Sequence, residues 1–302
     1  MADQSLMSSE RYFDWQGWRC FYQAAGEPGA PPVVLIHGHA TSHFTWRHQV
    51  AALQKDFQVF APDLLGFGRS AKPRDVAYNV EVWTAQITDF IRSVIQRPVL
   101  LVGNSLGGLI AAHIADRHPA LVSKLVLIAS AGASSYWQSS LVNFPFLLMR
   151  TPVIGRTLFD TLVQQRFVEW NIRHRLYANP AAVTPEVIAH YRECFFAPDN
   201  REIVFEVTKQ FYDFVMDDAM ARRIAHPTLL LWGERDTFVP PIRGRQLVRV
   251  MPRARLEVLP QASHCPHEDQ PEQVNALLQA FHREADPVAS GGGNGVRQTQ
   301  PD

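Results

Sequence analysis

The chain has 302 residues, 46% of them hydrophobic and 19% charged, with 29 Lys plus Arg set against 29 Asp plus Glu. That length supplies a sizeable core, and the balanced charge gives no global field for nucleic acid or an anionic membrane, so a partner has to be recognised at a local site. Three widely spaced cysteines, Cys20, Cys194 and Cys265, make neither a disulfide framework nor a zinc spacing. The first fifteen residues have no basic and apolar leader pattern, and no apolar run nears the roughly 20 residues of a membrane span. A reducing cytoplasm is the expected compartment.

Taken in order, Tyr12 to Ala24 alternates loosely and predicts a strand pair turning near Gln16-Gly17. Val33 to His37 is a buried-type strand ending in HGHATS, Phe44 to Leu53 has helical spacing, and Phe57 to Ala61 is a third strand leading into PDLLGFGRSAKP. Val80 to Ile95 places apolar residues at helical intervals, Val99 to Val102 is again strand, and Leu125 to Ala129 is another. From about Ala133 to Ala221 no convincing strand is found, only helical patterns broken by prolines. Strand and helix then alternate once more: Thr228–Trp232, Ile242–Val250, Leu256–Leu259 and Glu272–Arg283. The rhythm predicts an α/β protein with a mostly parallel, doubly wound sheet, residues 1–132 and 222–286, and a helical cap, 133–221, inserted over its carboxyl edge. The Gly-rich tail, 287–302, is expected to be disordered.

The chemistry-bearing stretch is Val99 to Ala115, VLLVGNSLGGLIAAHIA. Gly103-Asn104-Ser105-Leu106-Gly107 stands between a strand and a helix, the nucleophile-elbow pattern. The turn must be sharp enough to lift Ser105 above the sheet, which leaves no room for side chains two residues to either side. Taken alone the pattern also fits a bland glycine-rich loop. A serine hydroxyl needs a base to accept its proton, and that base is normally a histidine oriented by a carboxylate. Such groups collect at the carboxyl ends of strands. His264 follows the last predicted strand and Asp236 the one before, and the order Ser105, Asp236, His264 is the order of a hydrolase triad on this kind of sheet. Glu234 rivals Asp236, which could instead cap a helix, and His267 rivals His264. His37, His39 and His43 lack a recognisable metal-ligand pattern, so no metal is expected, and triad chemistry calls for no cofactor.

VGNSLGG, HGHA after a strand, DLLGFGRS, LWGERDTFVP and the late histidine together resemble the α/β-hydrolase superfamily over residues 10 to 285. The resemblance implies an oxyanion hole made by the backbone N–H groups of His39 and Leu106. Ser263-His264 departs from the Gly-His written by the family. Serine at the elbow, rather than aspartate, sets the chain apart from the haloalkane dehalogenases and epoxide hydrolases of this superfamily and implies an acyl-enzyme. HCPHED with DLLGFGRSAKP looks most like the pheophytinase and chlorophyll dephytylase group, whose substrates are phytyl esters. GNS with WGERDTFVP is similar to the C–C hydrolases of ring-cleavage products, although Cys265 stands where those usually carry Trp.

The cap is rich in aromatics, and Asn143 to Gly155 is more apolar than a surface loop needs to be. A pocket lined by Trp137, Phe144 and Phe146, an apolar ester substrate and weak membrane contact through the cap are the expectations. A small-molecule receptor on the same fold is the non-enzymatic alternative.

Overall fold

The computed structural model describes residues 9–132 and 148–284. Eight strands form one sheet in the order β1-β2-β4-β3-β5-β6-β7-β8. β1 (Ser9–Trp15) and β2 (Trp18–Ala25) are an antiparallel hairpin turning through Gln16 and Gly17, both at positive φ. β2 pairs antiparallel with β4 (Gln58–Pro62), and from there every pairing is parallel, through β3 (Pro32–Ile36), β5 (Val99–Asn104), β6 (Val122–Ile128), β7 (Thr228–Gly233) and β8 (Ala254–Leu259). The predicted strands are borne out within a few residues.

β3, β5 and β7 read as continuous apolar runs because both of their faces are covered. Val33 to Ile36, Val99 to Val102 and Leu229 to Trp232 are buried almost without exception. One face packs on α2 (Val80–Phe90) and α3 (Leu106–Arg117), with Trp83, Ile87, Leu109 and Ile110 in a shared core. The other packs on α1 (Arg47–Leu53) and the last helix, Pro271–Arg283, through Trp46, Val50, Leu278 and Phe281. A fully buried Leu, Ile or Val contributes about 1.5–3 kcal/mol, so these two layers hold the strand ends rigidly.

Two helices expected as continuous are divided. Phe44 to Leu53 begins as a 3₁₀ turn, His43–Trp46, before α1, and Val80 to Ile95 ends in a π turn, Ile91–Ile95, closed by Gln96 at positive φ. Between β6 and β7 the described residues are helical: α4 (Pro152–Leu162), α5 (Gln165–Asn171), α6 (Pro185–Phe196), α7 (Pro198–Thr208) and α8 (Asp218–Arg223). Prolines that interrupt the pattern stand at the first turn of α4, α6 and α7, where the missing N–H costs nothing. α4 to α7 lie over the carboxyl ends of the strands, whereas α8 packs beside α3, its Arg223 paired with Asp116. Met149, Phe159, Val204 and Phe205 pack on Ala40 after β3, and Val187 and Tyr191 share a cluster with Cys265 after β8. All three cysteines are free and buried.

The chain steps outward from β3 to β4 and then crosses back to β5 on the other side of β3. Carboxyl ends diverge at such a reversal and open a crevice. Ser105 leaves β5 and His39 leaves β3 at that point.

Candidate active site

Ser105 adopts φ 53° and ψ −116° directly before α3. Such a conformation costs about 1–3 kcal/mol for a side-chain-bearing residue and persists only where its surroundings over-determine it. Here the Ser105 N–H donates to the Ile128 carbonyl at 2.9 Å, and the Ser105 carbonyl accepts from Gly108 at 3.0 Å and Ala131 at 2.9 Å. The glycines of the elbow have separate reasons. A Cβ at Gly107 would run into the Ile36 and His37 carbonyl oxygens, and one at Gly103 into the Gly107 carbonyl. β3, β5 and α3 can approach this closely only with hydrogen at both positions.

The loops that follow β7 and β8, carrying Asp236 and His264, meet beside the serine elbow. His264 Nδ1 lies 2.9 Å from Asp236 Oδ2, both side chains being buried. The other carboxylate oxygen, Oδ1, accepts from the Phe238 N–H at 2.8 Å and the Val239 N–H at 2.9 Å. Asp236 thus does cap the turn that follows it, and holds His264 with its free oxygen. The two loops are pressed together: Arg235 N–H donates to the Ala262 carbonyl at 2.9 Å, and a Cβ on Gly233 would strike the Ser263 carbonyl. Asn104, next to the serine, donates through Nδ2 to the His264 carbonyl at 3.3 Å and the Ile128 carbonyl at 3.2 Å, which ties the elbow to the base loop.

The rivals lie elsewhere. Glu234 is exposed. His267 is buried against Trp46, its Nε2 3.0 Å from Thr45 Oγ1 and its carbonyl accepting from Gln49 Nε2 at 2.8 Å, and burial holds its pKa well below the usual histidine value. His37 uses both ring nitrogens: Nε2 accepts from the Leu64 N–H at 3.0 Å and Nδ1 donates to the Gly38 carbonyl at 2.7 Å. His43 Nδ1 is turned to Asp63 Oδ1 at 2.9 Å. Burial alone would raise the Asp63 pKa, but the His43 hydrogen bond and charge and the Arg69 N–H overcome it and hold the carboxyl below its ordinary range.

Leu106 is the first residue of α3, and the loop carrying His39 packs on the elbow so closely that a Cβ on Gly38 would touch Ser105 Cβ at 3.3 Å. Among the described residues neither backbone N–H, of His39 or of Leu106, has a hydrogen-bond partner. The His39 side chain does not point into open solvent. Its ring sits among Phe67, Phe195 and Phe211, Nε2 is buried without a partner, and burial pulls its pKa down to about 4. Trp137, Phe144 and Phe146 lie outside the described residues.

Sequence reasoning missed a group of polar links between the helical insertion and the segments around Asp236 and His264. Asp269 collects the N–H groups of Ala178, Asn179 and, at 2.7 Å, Ser263. Glu268 is buried beneath Tyr177 Oη at 2.8 Å, Thr45 Oγ1 at 2.6 Å and the Arg47 guanidinium. Ser263, where the superfamily writes Gly, donates its hydroxyl to the Arg175 carbonyl. The unusual Ser-His dipeptide and the acidic pair after His267 were the available signals; nothing distinguished Arg175 from its neighbours.

An elbow serine on a mostly parallel sheet, with a buried carboxylate–histidine pair on the loops after β7 and β8, defines a hydrolase of the α/β class. Residues 31–271 match the family described as alpha/beta hydrolase fold, and the chain belongs to that family and is an enzyme. It is 31% identical to the 2-hydroxymuconate semialdehyde hydrolase of Pseudomonas sp. (strain CF600), over 85% of this chain and 89% of that one. It is 28% identical to epoxide hydrolase 4 of Mus musculus, over 89% of this chain and 77% of that one. The fold matches that of a serine hydrolase involved in carbazole degradation with a TM-score of 0.74 at 24% identity, covering 91% of this chain and 99% of that one. None of these three carries a phytyl-ester name.

Proposed function

We propose that the protein hydrolyses a lipophilic carboxylic ester through an acyl-enzyme on Ser105. The observation that carries this reading is the 2.9 Å Asp236–His264 pair on loops bound to the strained serine elbow. Asp236 keeps the His264 Nδ1–H in place, so Nε2 is the free base that takes the Ser105 proton as Oγ attacks and returns it to the leaving alcohol. The N–H groups of His39 and Leu106 bind the oxyanion, a contribution worth about 10²–10³ in rate per donor. Water then deacylates the serine by the same route. Residues 133–221 act as the cap over this centre and select apolar chains. A phytyl-type ester is the member of this class that the HCPHED and DLLGFGRSAKP motifs suggest.

Fluorophosphonate labelling of Ser105, lost in Ser105→Ala, together with turnover of a p-nitrophenyl ester series that rises with chain length, is the expected result. Labelling at another serine would sink the assignment. A second reading, C–C bond hydrolysis of a ring-cleavage product, is favoured by the 31% identity to a 2-hydroxymuconate semialdehyde hydrolase. Turnover of such a dienoate above that of every ester would install it instead. The epoxide hydrolase resemblance meets a serine where epoxide opening on this fold uses an aspartate nucleophile.

Weak membrane contact through the cap belongs with a lipophilic substrate. Val153, Ile154, Leu162, Phe167 and Trp170 on α4 and α5 are large, apolar and exposed, and exposed Arg166 and Arg173 flank the two aromatics. Aromatic and cationic side chains on one helix face suit an anionic lipid surface. Co-sedimentation with phosphatidylglycerol vesicles and not with phosphatidylcholine, abolished in Phe167→Ser/Arg166→Glu, is expected; equal sedimentation of wild type and variant would refute it.

A further inference from the structure

The catalytic loops are held from outside the sheet by one short stretch of the insertion, residues 175–179, and Arg175 occupies its first position. The guanidinium reaches the acid loop, where Nε donates to Thr237 Oγ1 at 3.0 Å and Nη2 to the Thr237 carbonyl at 3.2 Å, one residue beyond Asp236. Its third corner is fixed on its own helix, Nη1 donating to Asn171 Oδ1 at 3.3 Å. The same guanidinium lies over the Phe238 ring, 4.4 Å from the centroid, and Phe238 in turn stands 5.4 Å from the His264 ring. On the base loop, the Arg175 carbonyl accepts from Ser263 Oγ, and the neighbouring Leu176 carbonyl accepts from the Cys265 N–H at 3.3 Å, one link on either side of His264.

We propose that Arg175 is a positioning residue for the base: it clamps the acid and base loops to each other and presses Phe238 against the His264 imidazole. The need for it follows from what the loops lack. Asp236 fixes the imidazole at one edge through Nδ1, and a hydrogen bond at one edge leaves the ring free to tilt about that contact. A second contact, on the ring itself, removes the tilt. Phe238, inclined 57° to the imidazole, supplies that contact yet is 42% exposed, so packing from the sheet does not hold it. The guanidinium does, because its planar fork bridges two acceptors on Thr237 while its face covers the ring. Lysine, a point donor on a flexible stem, cannot do both. The insertion on this side is therefore a fixed part of the catalytic geometry and not a lid that swings clear.

The proposal rests on the acyl-enzyme reading for its kinetic arm, so the test has a second arm that does not. In the first, kcat and KM for p-nitrophenyl butyrate are measured per active site titrated with a fluorophosphonate. Arg175→Met is expected to lower kcat about tenfold with KM within about twofold, the scale on which small misplacements of a catalytic group act. Arg175→Lys should not rescue it. Phe238→Leu should lose as much, and the double variant no more than the larger single, because Arg175 acts through Phe238. A purely structural role would move melting temperature and the titratable fraction while sparing kcat per site; that result overturns the proposal, as do losses that multiply in the double variant. In the second arm the His264 Cε1–H resonance, assigned by its loss in His264→Gln, is followed by NMR. It should shift in Arg175→Met and in Phe238→Leu. An unmoved resonance overturns the proposal whether or not the protein turns over an ester, whereas a wild type that takes no label at Ser105 strikes only the acyl-enzyme reading.

Discussion

The sheet and the helical insertion solve different problems with the same kinds of residue. In the sheet, apolar side chains are buried on both faces, and the buried polar groups Asp63 and His37 are each held by several neighbours. In the insertion, large apolar groups such as Val153 and Trp170 stay exposed on the outer side, while its inner side joins the sheet through Ile203, Val207, Phe214 and Met216 in the main core, a second apolar cluster around Tyr191, and hydrogen bonds to Glu268 and Asp269. The difference teaches where strain can be kept. A conformation like that of Ser105 survives only on the over-determined sheet edge, while substrate selection suits a layer whose surface is not committed to a core.

The largest effect that tests this division is catalytic. Ser105→Ala and His264→Ala should each remove turnover, and Asp236→Asn should lower it by about 10⁴, with melting temperatures little changed. His267→Ala should do the reverse, sparing turnover per folded molecule and lowering stability through the lost Thr45 and Trp46 contacts. A crippled His267→Ala beside a mild His264→Ala would reverse the two roles.

Next in size are the glycines at the sheet edge. Gly107→Ala and Gly233→Ala put a methyl group into backbone carbonyls that cannot move without displacing a strand or a loop. Each should cost above about 3 kcal/mol, read as a fall in the denaturation midpoint or loss of soluble protein.

The seam between the two regions should be acid-labile. His39 on the sheet side and His190 on the insertion side are both pulled down to about 4 by burial, from 6.5 in the unfolded chain. A depressed folded-state value means that their contribution is complete above pH 6.5 and is lost as pH falls toward about 4, on the order of 1–3 kcal/mol each. Asp63, held low by His43, adds to the loss further down, and Glu268 and Asp269, pushed up by burial, oppose it. Stability against pH should therefore bend downward below 6.5, and His190→Asn should flatten that bend; an unchanged slope would place the acid sensitivity elsewhere. His190 carries this through Thr41 Oγ1, 3.1 Å from its Nε2, and a stacked Phe44 ring.

The smallest effects belong to the outer face of the insertion. Val153→Ser and Trp170→Ser should each change unfolding free energy by no more than about 0.5 kcal/mol. A larger loss would show that this face is covered in solution.

The sequence by itself determined the strand and helix alternation, the elbow at Ser105 and the break in rhythm after β6. Each depends on residue spacing within a few positions: period in the strands and helices, glycines at fixed offsets around the serine, prolines at helix starts. Boundaries such as the 3₁₀ start of α1 and the π turn after α2 were not legible, because packing on the sheet and not local propensity settles how a helix ends. Spacing alone did not separate neighbours of the same type, Asp236 from Glu234 or His264 from His267; the family resemblance favoured Asp236 and His264. The physical distinction comes from the loops after β7 and β8 being pressed together, so that one carboxylate oxygen faces one imidazole nitrogen at 2.9 Å. The Asn104 bond to the base loop and the Arg175 clamp span 160 and 62 positions of chain, distances over which no local pattern operates. Tertiary structure decided those, because a buried donor must find an acceptor wherever the fold brings one within reach.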